Sequence, residues 1–215
     1  MSNSQVRCSL GSSKDNHSRS GLDDAKGFAT PPSYDTFVIV QISPHVNLLD
    51  DLRSVLGDRA RDGDFELGLY SKDGSVLQGQ ASIVCLPVDT SEVRQIVEIC
   101  RHHDRPFLAR GSGTGLAGGA VPVGDPVIIA TAKMNQIIEV DLDNRIAWVE
   151  PGVLNLDLTK ELTPRGFHFA PDPSSQQVCS IGGNVANNSG GPHCLAYGVT
   201  SAHVCLLYTS DAADE

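Results

Sequence analysis

The sequence predicts an α+β fold of short strands and helices, and three observations carry that reading. Residues 83–86 and 107–109 are apolar strand signals on either side of a segment with helical spacing. Residues 137–141 and 146–149 flank Asp143-Asn144, a hairpin signal. Two glycine-rich stretches, residues 107–122 and 171–191, each follow a strand. With 215 residues, of which 40% are hydrophobic, the chain is long enough for one ordinary domain with a core. A formal charge of −10 argues against nucleic acid or an anionic membrane as partner, because both are recognised through basic patches. No apolar run is long enough to span a bilayer.

Taken in order, residues 1–33 are polar and nearly free of apolar anchors, so they are expected to be disordered. A transit peptide is the alternative, weakened by Asp15, Asp23 and Asp24. Residues 34–79 form an extension. In it Val46, Leu49, Leu52, Val55 and Leu56 predict a helix stopping at Gly57, and 62–79 shows only turn signals around Phe65, Leu67, Leu69 and Tyr70. Asp89, with Glu92 three residues on, predicts a capped helix to about His103, whose inward face is Val93, Ile96, Val97 and Cys100. His102 and His103 at its end suit the helix dipole. A last helix starts near Gly152 and Asn155 and ends at Pro164 and Gly166. Helices are expected on one side of the strands. The six cysteines lack metal spacing and read as free thiols, which fits a reducing cytoplasm.

The first glycine stretch, FLARGSGTGLAGGAVP, offers backbone N–H groups in a turn almost without side-chain bulk. Such a turn makes a concavity of partial positive charge that suits a phosphate or pyrophosphate. Arg110 is expected to add a full charge at its rim. Three familiar loops fail on spacing. A dinucleotide fingerprint started at Gly111 meets Leu116 where its third glycine belongs, and a P-loop started at Gly113 meets Gly119 where lysine belongs. A nucleophile elbow at Ser112 would need glycine where Arg110 stands. A merely flexible loop is the bland alternative.

The combination of RGSGTGLAGGAVP with PDPSS, SIGGNVANNSGG and PHCLAYGVT resembles FAD-linked oxidases of the vanillyl-alcohol-oxidase/p-cresol-methylhydroxylase type. Within them it looks most like the flavin subunit of glycolate oxidase and D-2-hydroxyacid dehydrogenases. The likeness runs over roughly residues 80–204. It implies an FAD-binding domain of two small α/β subdomains, incomplete at the C-terminus, and an FAD-dependent oxidoreductase acting on a 2-hydroxyacid. It also implies cofactor contacts. Arg110, Gly111, Ser112, Gly113, Thr114, Gly115, Gly119 and Ala120 would surround the pyrophosphate. Pro173, Ser174, Gly182, Gly183, Asn187 and Ser189 would approach the flavin ring or ribityl chain, although a plain turn or cap cluster also accounts for Asn187, Asn188 and Ser189.

Relatives that tether the flavin through histidine place it where this chain has Thr114, and Cys179 is poorly spaced for a thioether, so non-covalent FAD is expected. His193 and His203 read as structural, and no base-and-cation pair for a hydroxyacid stands out. The resemblance implies that the substrate residues lie in sequence not present, that an electron-transfer subunit is a possible partner, and that the fragment alone is inactive. Residues 205–215 look unlike the family. A nucleotide-binding or scaffold module without redox turnover is the alternative.

Overall fold

The computed structural model describes residues 5–9, 11–12 and 47–208. Its first half is a four-stranded sheet. After α1 (Leu48–Leu56) and a 3-10 turn come β3 (Ala60–Arg61), α2 (Asp64–Tyr70), β4 (Ile83–Cys85), α3 (Thr90–His102), β5 (Phe107–Arg110) and β6 (Val127–Ala130). β1 (Gln5–Ser9) and β2 (Gly11–Ser12) precede them. The strand order is β3-β4-β6-β5, with β4, β6 and β5 parallel and β3 antiparallel at the edge.

The middle strand β6 reads VIIA and is buried along its whole length, as a parallel strand covered on both faces must be. Its alternate residues divide the core. Val127 and Ile129 pack with Ile83, Cys85 and the inward faces of α1 and α3. Ile128 and Ala130 pack with Val84 and Leu86 against Leu67 and Tyr70 of α2. Helices therefore cover both faces of this sheet, which corrects the one-sided arrangement expected from sequence. The stretch that showed only turn signals supplies the helix on the second face.

Asp89 caps α3 as its spacing predicts, its carboxylate accepting the Glu92 N–H at 2.9 Å. Glu92 reaches back to the Val88 N–H at 2.8 Å and also receives a two-pronged bond from Arg59. Burial pushes the Glu92 carboxyl up, but the Arg59 hydrogen bond, the Val88 amide and the Arg59 charge outweigh it, leaving it below the usual range. A carboxylate depressed on folding stabilises the native state above its unfolded pKa, and that contribution disappears as pH falls through the folded value. Glu92→Gln is therefore expected to cost about 2 kcal/mol at neutral pH. Thermal melts should show the gap from wild type closing below about pH 4; an equal gap at both pH values would contradict this. At the other end of α3, His103 Nε2 meets Asp51 Oδ2 of α1 at 2.7 Å, a specific partner in addition to the helix end.

The second half carries β7 (Ile137–Asp141), β8 (Ile146–Val149), α4 (Asn155–Leu162), β9 (Phe167–His168), α5 (Ile181–Asn187), α6 (Cys194–Tyr197) and β10 (Val204–Tyr208). β7 and β8 form the expected hairpin, with Asp141 accepting the Asn144 N–H at 3.0 Å. α4 ends in a 3-10 turn containing Pro164, and Gly166 follows at φ 80°. Ala147, Val149, Val153, Leu158, Leu162, Phe169 and Ile181 form the core of this half.

The sheet order is β10-β1-β8-β7, all antiparallel, and β2 pairs with β9. The expected disorder of residues 1–33 thus does not hold at β1 and β2; the other residues of that segment lie outside the described ones. Among the described residues no helix is long and apolar enough to cross a membrane.

Candidate cofactor cleft

β5 and β6 run parallel, and the glycine loop leaves the C-terminal end of β5, the edge at which open parallel sheets hold ligands. The N–H groups of Ser112, Gly113, Thr114 and Gly115 donate to no acceptor among the described residues. Gly113 at φ 69° and Gly118 at φ 78° hold the left-handed conformations that shape the loop.

Arg110 does not stand at the rim. It is 6% exposed, and its guanidinium donates to the carbonyls of Ala120 and Lys72, both at 2.8 Å, with a longer 3.4 Å contact to that of Tyr70. The guanidinium carbon also lies 5.2 Å from the centre of the Tyr70 ring. Burial lowers the Arg110 pKa, opposed by the Tyr70 and Asp73 charges.

Residues 71–79, to which the sequence assigned no role, wrap the loop from outside. Gly74 donates to the Gly115 carbonyl at 2.9 Å, and Gly79 closes the wrap by donating to Ser71 O at 2.8 Å. A Cβ at Gly79 would fall 1.8 Å from the Pro122 carbonyl oxygen, so glycine is required for this approach. The side-chain hydrogen bond from Ser75, with that of its N–H, lowers the Asp73 carboxyl pKa, and the Gly118 amide and Arg110 charge act in the same direction.

The second glycine cluster forms α5, capped by Ser180, whose Oγ accepts the Gly183 N–H at 3.3 Å. Ile181 donates to Val153 O and Gly182 to Pro151 O, both at 2.8 Å. The two glycine clusters meet. A Cβ on Gly111 would lie 2.6 Å from Ser180 Oγ and 3.5 Å from Gly183 Cα, and one on Gly115 would lie 3.7 Å from Asn187 Oδ1. Beside this junction opens a cleft of about 230 Å³ lined by Gly111, Ser112, Thr131, Asn135, Val153, Leu154, Asp157 and Ser180, among others. Two larger and more open hollows lie around α1, away from both clusters.

The remaining expected contacts divide clearly. Gly119 faces open space, and Gly182 is committed to Pro151, whose Cβ would be 2.7 Å from a Cβ there. Ala120 serves through its carbonyl, by way of Arg110. Asn187 Nδ2 donates to Gly183 O at 3.0 Å. Pro173 accepts the Gln176 N–H in a local turn, Ser174 is exposed, and the Ser189 carbonyl accepts from Thr200. The bonds named for Pro173 and Ser189 thus run within residues 173–200 and not to the first loop. Ser180, Gly152, Asn135 and residues 70–79 were not among the expected site residues. Serine ahead of Ile-Gly-Gly is a cap signal that does identify Ser180.

His193 Nδ1 lies 2.5 Å from Asp172 Oδ2 on the surface, and His203 Nε2 lies 2.8 Å from Tyr197 O. Cys179 is a buried thiol whose pKa burial raises, opposed by hydrogen bonds from Ser175 and Asn184. Among the described residues no cluster of three metal-ligating side chains exists.

Residues 81–214 match the model of the FAD binding domain family, which is well over half of the chain. The chain belongs to that family, and its cofactor is FAD. It is 39% identical over 173 residues to the glycolate oxidase subunit GlcD of Escherichia coli (strain K12), covering 80% of this chain and 33% of that protein. It is 31% identical over 159 residues to a D-lactate dehydrogenase of Anaerostipes hadrus, covering 73% and 33%. The chain thus spans about a third of the length of these curated relatives. The fold is shared with p-cresol methylhydroxylase at a TM-score of 0.59 and 23% identity, over 66% of this chain and 29% of that one. The residues present fit FAD: four N–H groups in one loop, unpaired among the described residues, match the acceptor-rich pyrophosphate, and glycine at 111 lets the two backbones close around the cleft.

Proposed function

We propose that this chain is the FAD-binding part of an oxidoreductase that oxidises a 2-hydroxyacid such as glycolate or D-lactate, with FAD held non-covalently. The observation that carries the reading is the junction of the two glycine clusters at Gly111 and Ser180, beside a cleft, in a chain related to GlcD and D-lactate dehydrogenase. When bound, FAD supplies the two-electron acceptor for alcohol oxidation. The chain's own residues bind and orient: the amides of Ser112 to Gly115 receive negative charge, and Gly111 and Gly183 keep side chains out of the junction. Gly119 and Ala120 extend the loop, and Pro173, Ser174, Asn187 and Ser189 belong to the flavin side in this reading.

Hydroxyacid oxidation needs a cation for the carboxylate and a base for the hydroxyl proton. Among the described residues, Asp157 is the sole ionisable side chain lining the cleft. In this reading the cation and base belong to the part of the relatives that this chain does not span, and the chain alone does not turn over substrate. The word subunit in GlcD's name supports a partner subunit, and in this reading that partner takes the electrons from the flavin. The free thiols Cys85, Cys100 and Cys179 support a reducing, cytoplasmic setting. A nucleotide-binding module without turnover is the second reading, favoured by that same shortage of ionisable groups.

The test is to load the purified chain with FAD, remove excess by gel filtration and record the visible spectrum. A yellow protein that releases all its flavin on acid precipitation is the expected result. A folded, colourless protein that refuses FAD would overturn the proposal, and flavin retained in the precipitate would overturn its non-covalent part.

A further inference from the structure

Residues 70–79 lie outside the segment 81–214 that matches the family, yet they are joined to the glycine loop through one buried cation. Building on the reading that this loop receives FAD, we propose that Arg110 is a positioning residue: it fixes the loop backbone through the carbonyls of Tyr70, Lys72 and Ala120 and does not contact the cofactor's phosphates.

Three observations support this. Arg110 is buried and its terminal nitrogens are directed at carbonyls on both segments, at 2.8 Å to Lys72 and 2.8 Å to Ala120. Gly113 lies directly against the guanidinium, because a Cβ there would fall 2.2 Å from Nη2 and 2.6 Å from Cζ. The loop and the wrap also meet backbone to backbone, since a Cβ on Gly74 would lie 2.8 Å from Thr114 O and 3.0 Å from Gly115 O. A planar fork suits several carbonyls at fixed angles. A lysine ammonium carries the same charge without that geometry. The positioning role therefore separates from a phosphate-contact role by whether charge alone suffices.

Wild type, Arg110→Lys, Arg110→Met and Gly74→Ala are compared by amide hydrogen exchange without cofactor and by FAD titration at low and moderate salt. Both Arg110 variants should speed exchange across residues 70–79 and 111–120 together. They should also weaken FAD binding about tenfold, or ~1.4 kcal/mol, with no rescue by lysine and no change in salt dependence. Gly74→Ala should reproduce both effects with Arg110 intact.

Wild-type affinity in Arg110→Lys would overturn the proposal. So would an Arg110→Met protein with unchanged exchange and a flattened salt dependence, the signature of a lost phosphate contact. Should Arg110→Met fail to fold, the lysine and Gly74 variants decide. Exchange is read without FAD, so a wild-type chain that refuses FAD would sink the flavin reading while the exchange comparison still decides the role of Arg110.

Discussion

Gly152→Ala is expected to destabilise the chain by about 3 kcal/mol, a large part of the 5–15 kcal/mol typical of a domain. Gly152 is buried where the chain leaves β8 and crosses the turn between β6 and β7. A Cβ there would fall 2.2 Å from Thr131 O and 2.6 Å from Met134 O, and both obstacles are backbone. Its N–H already donates to Met134 O at 2.7 Å, and the fully buried Met134 side chain anchors that end of the turn. The added methyl must separate the two halves of the molecule or break that bond.

For a chain of this size, 1 kcal/mol corresponds to roughly 2–4 °C in Tm, so a fall of about 6–12 °C is expected by calorimetry or circular dichroism. Gly119→Ala is the matched control, because nothing lies within 4 Å of its added Cβ and its backbone is not left-handed. It should move stability by no more than about 0.5 kcal/mol. Equal melting temperatures for the two variants would show that the crossing is not close-packed.

That crossing also shows what the sequence left hidden. The unit of β4, α3 and β5 is legible because each part carries a local signal: an apolar run, a capping Asp89 and an inward stripe containing Ile96 and Cys100. The glycine clusters are legible as loops for the same reason. Their meeting is implied by the family resemblance and by no local signal, because it depends on Gly152 and Pro151 passing close to other backbone, and in sequence Gly152 marks no more than a helix start.

α2 carries no clear local signal because Gly68 and the neighbouring turn signals weaken its helical preference; contacts of Leu67 and Tyr70 with the sheet hold it instead. The inward course of Arg110 has no local signal because its partners Tyr70 and Lys72 stand 40 and 38 residues away. β1 is a strand by virtue of β8 and β10 on either side, and nothing within residues 1–12 announces them.

The second large effect is expected at the junction itself. Gly111→Ala should weaken FAD binding by at least about tenfold, ~1.4 kcal/mol, because its methyl would lie 2.6 Å from Ser180 Oγ. Ser180 is 2% exposed, so its hydroxyl has little space to rotate into. The same oxygen caps α5 through Gly183, and displacing it costs about 1 kcal/mol of cap energy in addition to moving the loop away from the cleft.

A side-chain obstacle differs from the backbone obstacles at Gly152 in that it can be removed. Ser180→Ala deletes the Oγ and should lose about the same cap energy. In the double variant Gly111→Ala/Ser180→Ala, the added methyl then occupies the space that the oxygen left. The two changes are therefore expected to be strongly non-additive, with the double variant binding FAD better than Gly111→Ala alone and a coupling of about 1 kcal/mol in the double-mutant cycle.

Titration of FAD against the four proteins measures this directly, and melting curves on the same samples separate loss of fold from loss of binding. Additive effects would mean that Gly111 and Ser180 do not touch. The shared cleft between the two glycine clusters would then lose the contact on which it is built, since a Cβ at Gly111 would meet Ser180 more tightly than it would meet Gly183, or than one at Gly115 would meet Asn187.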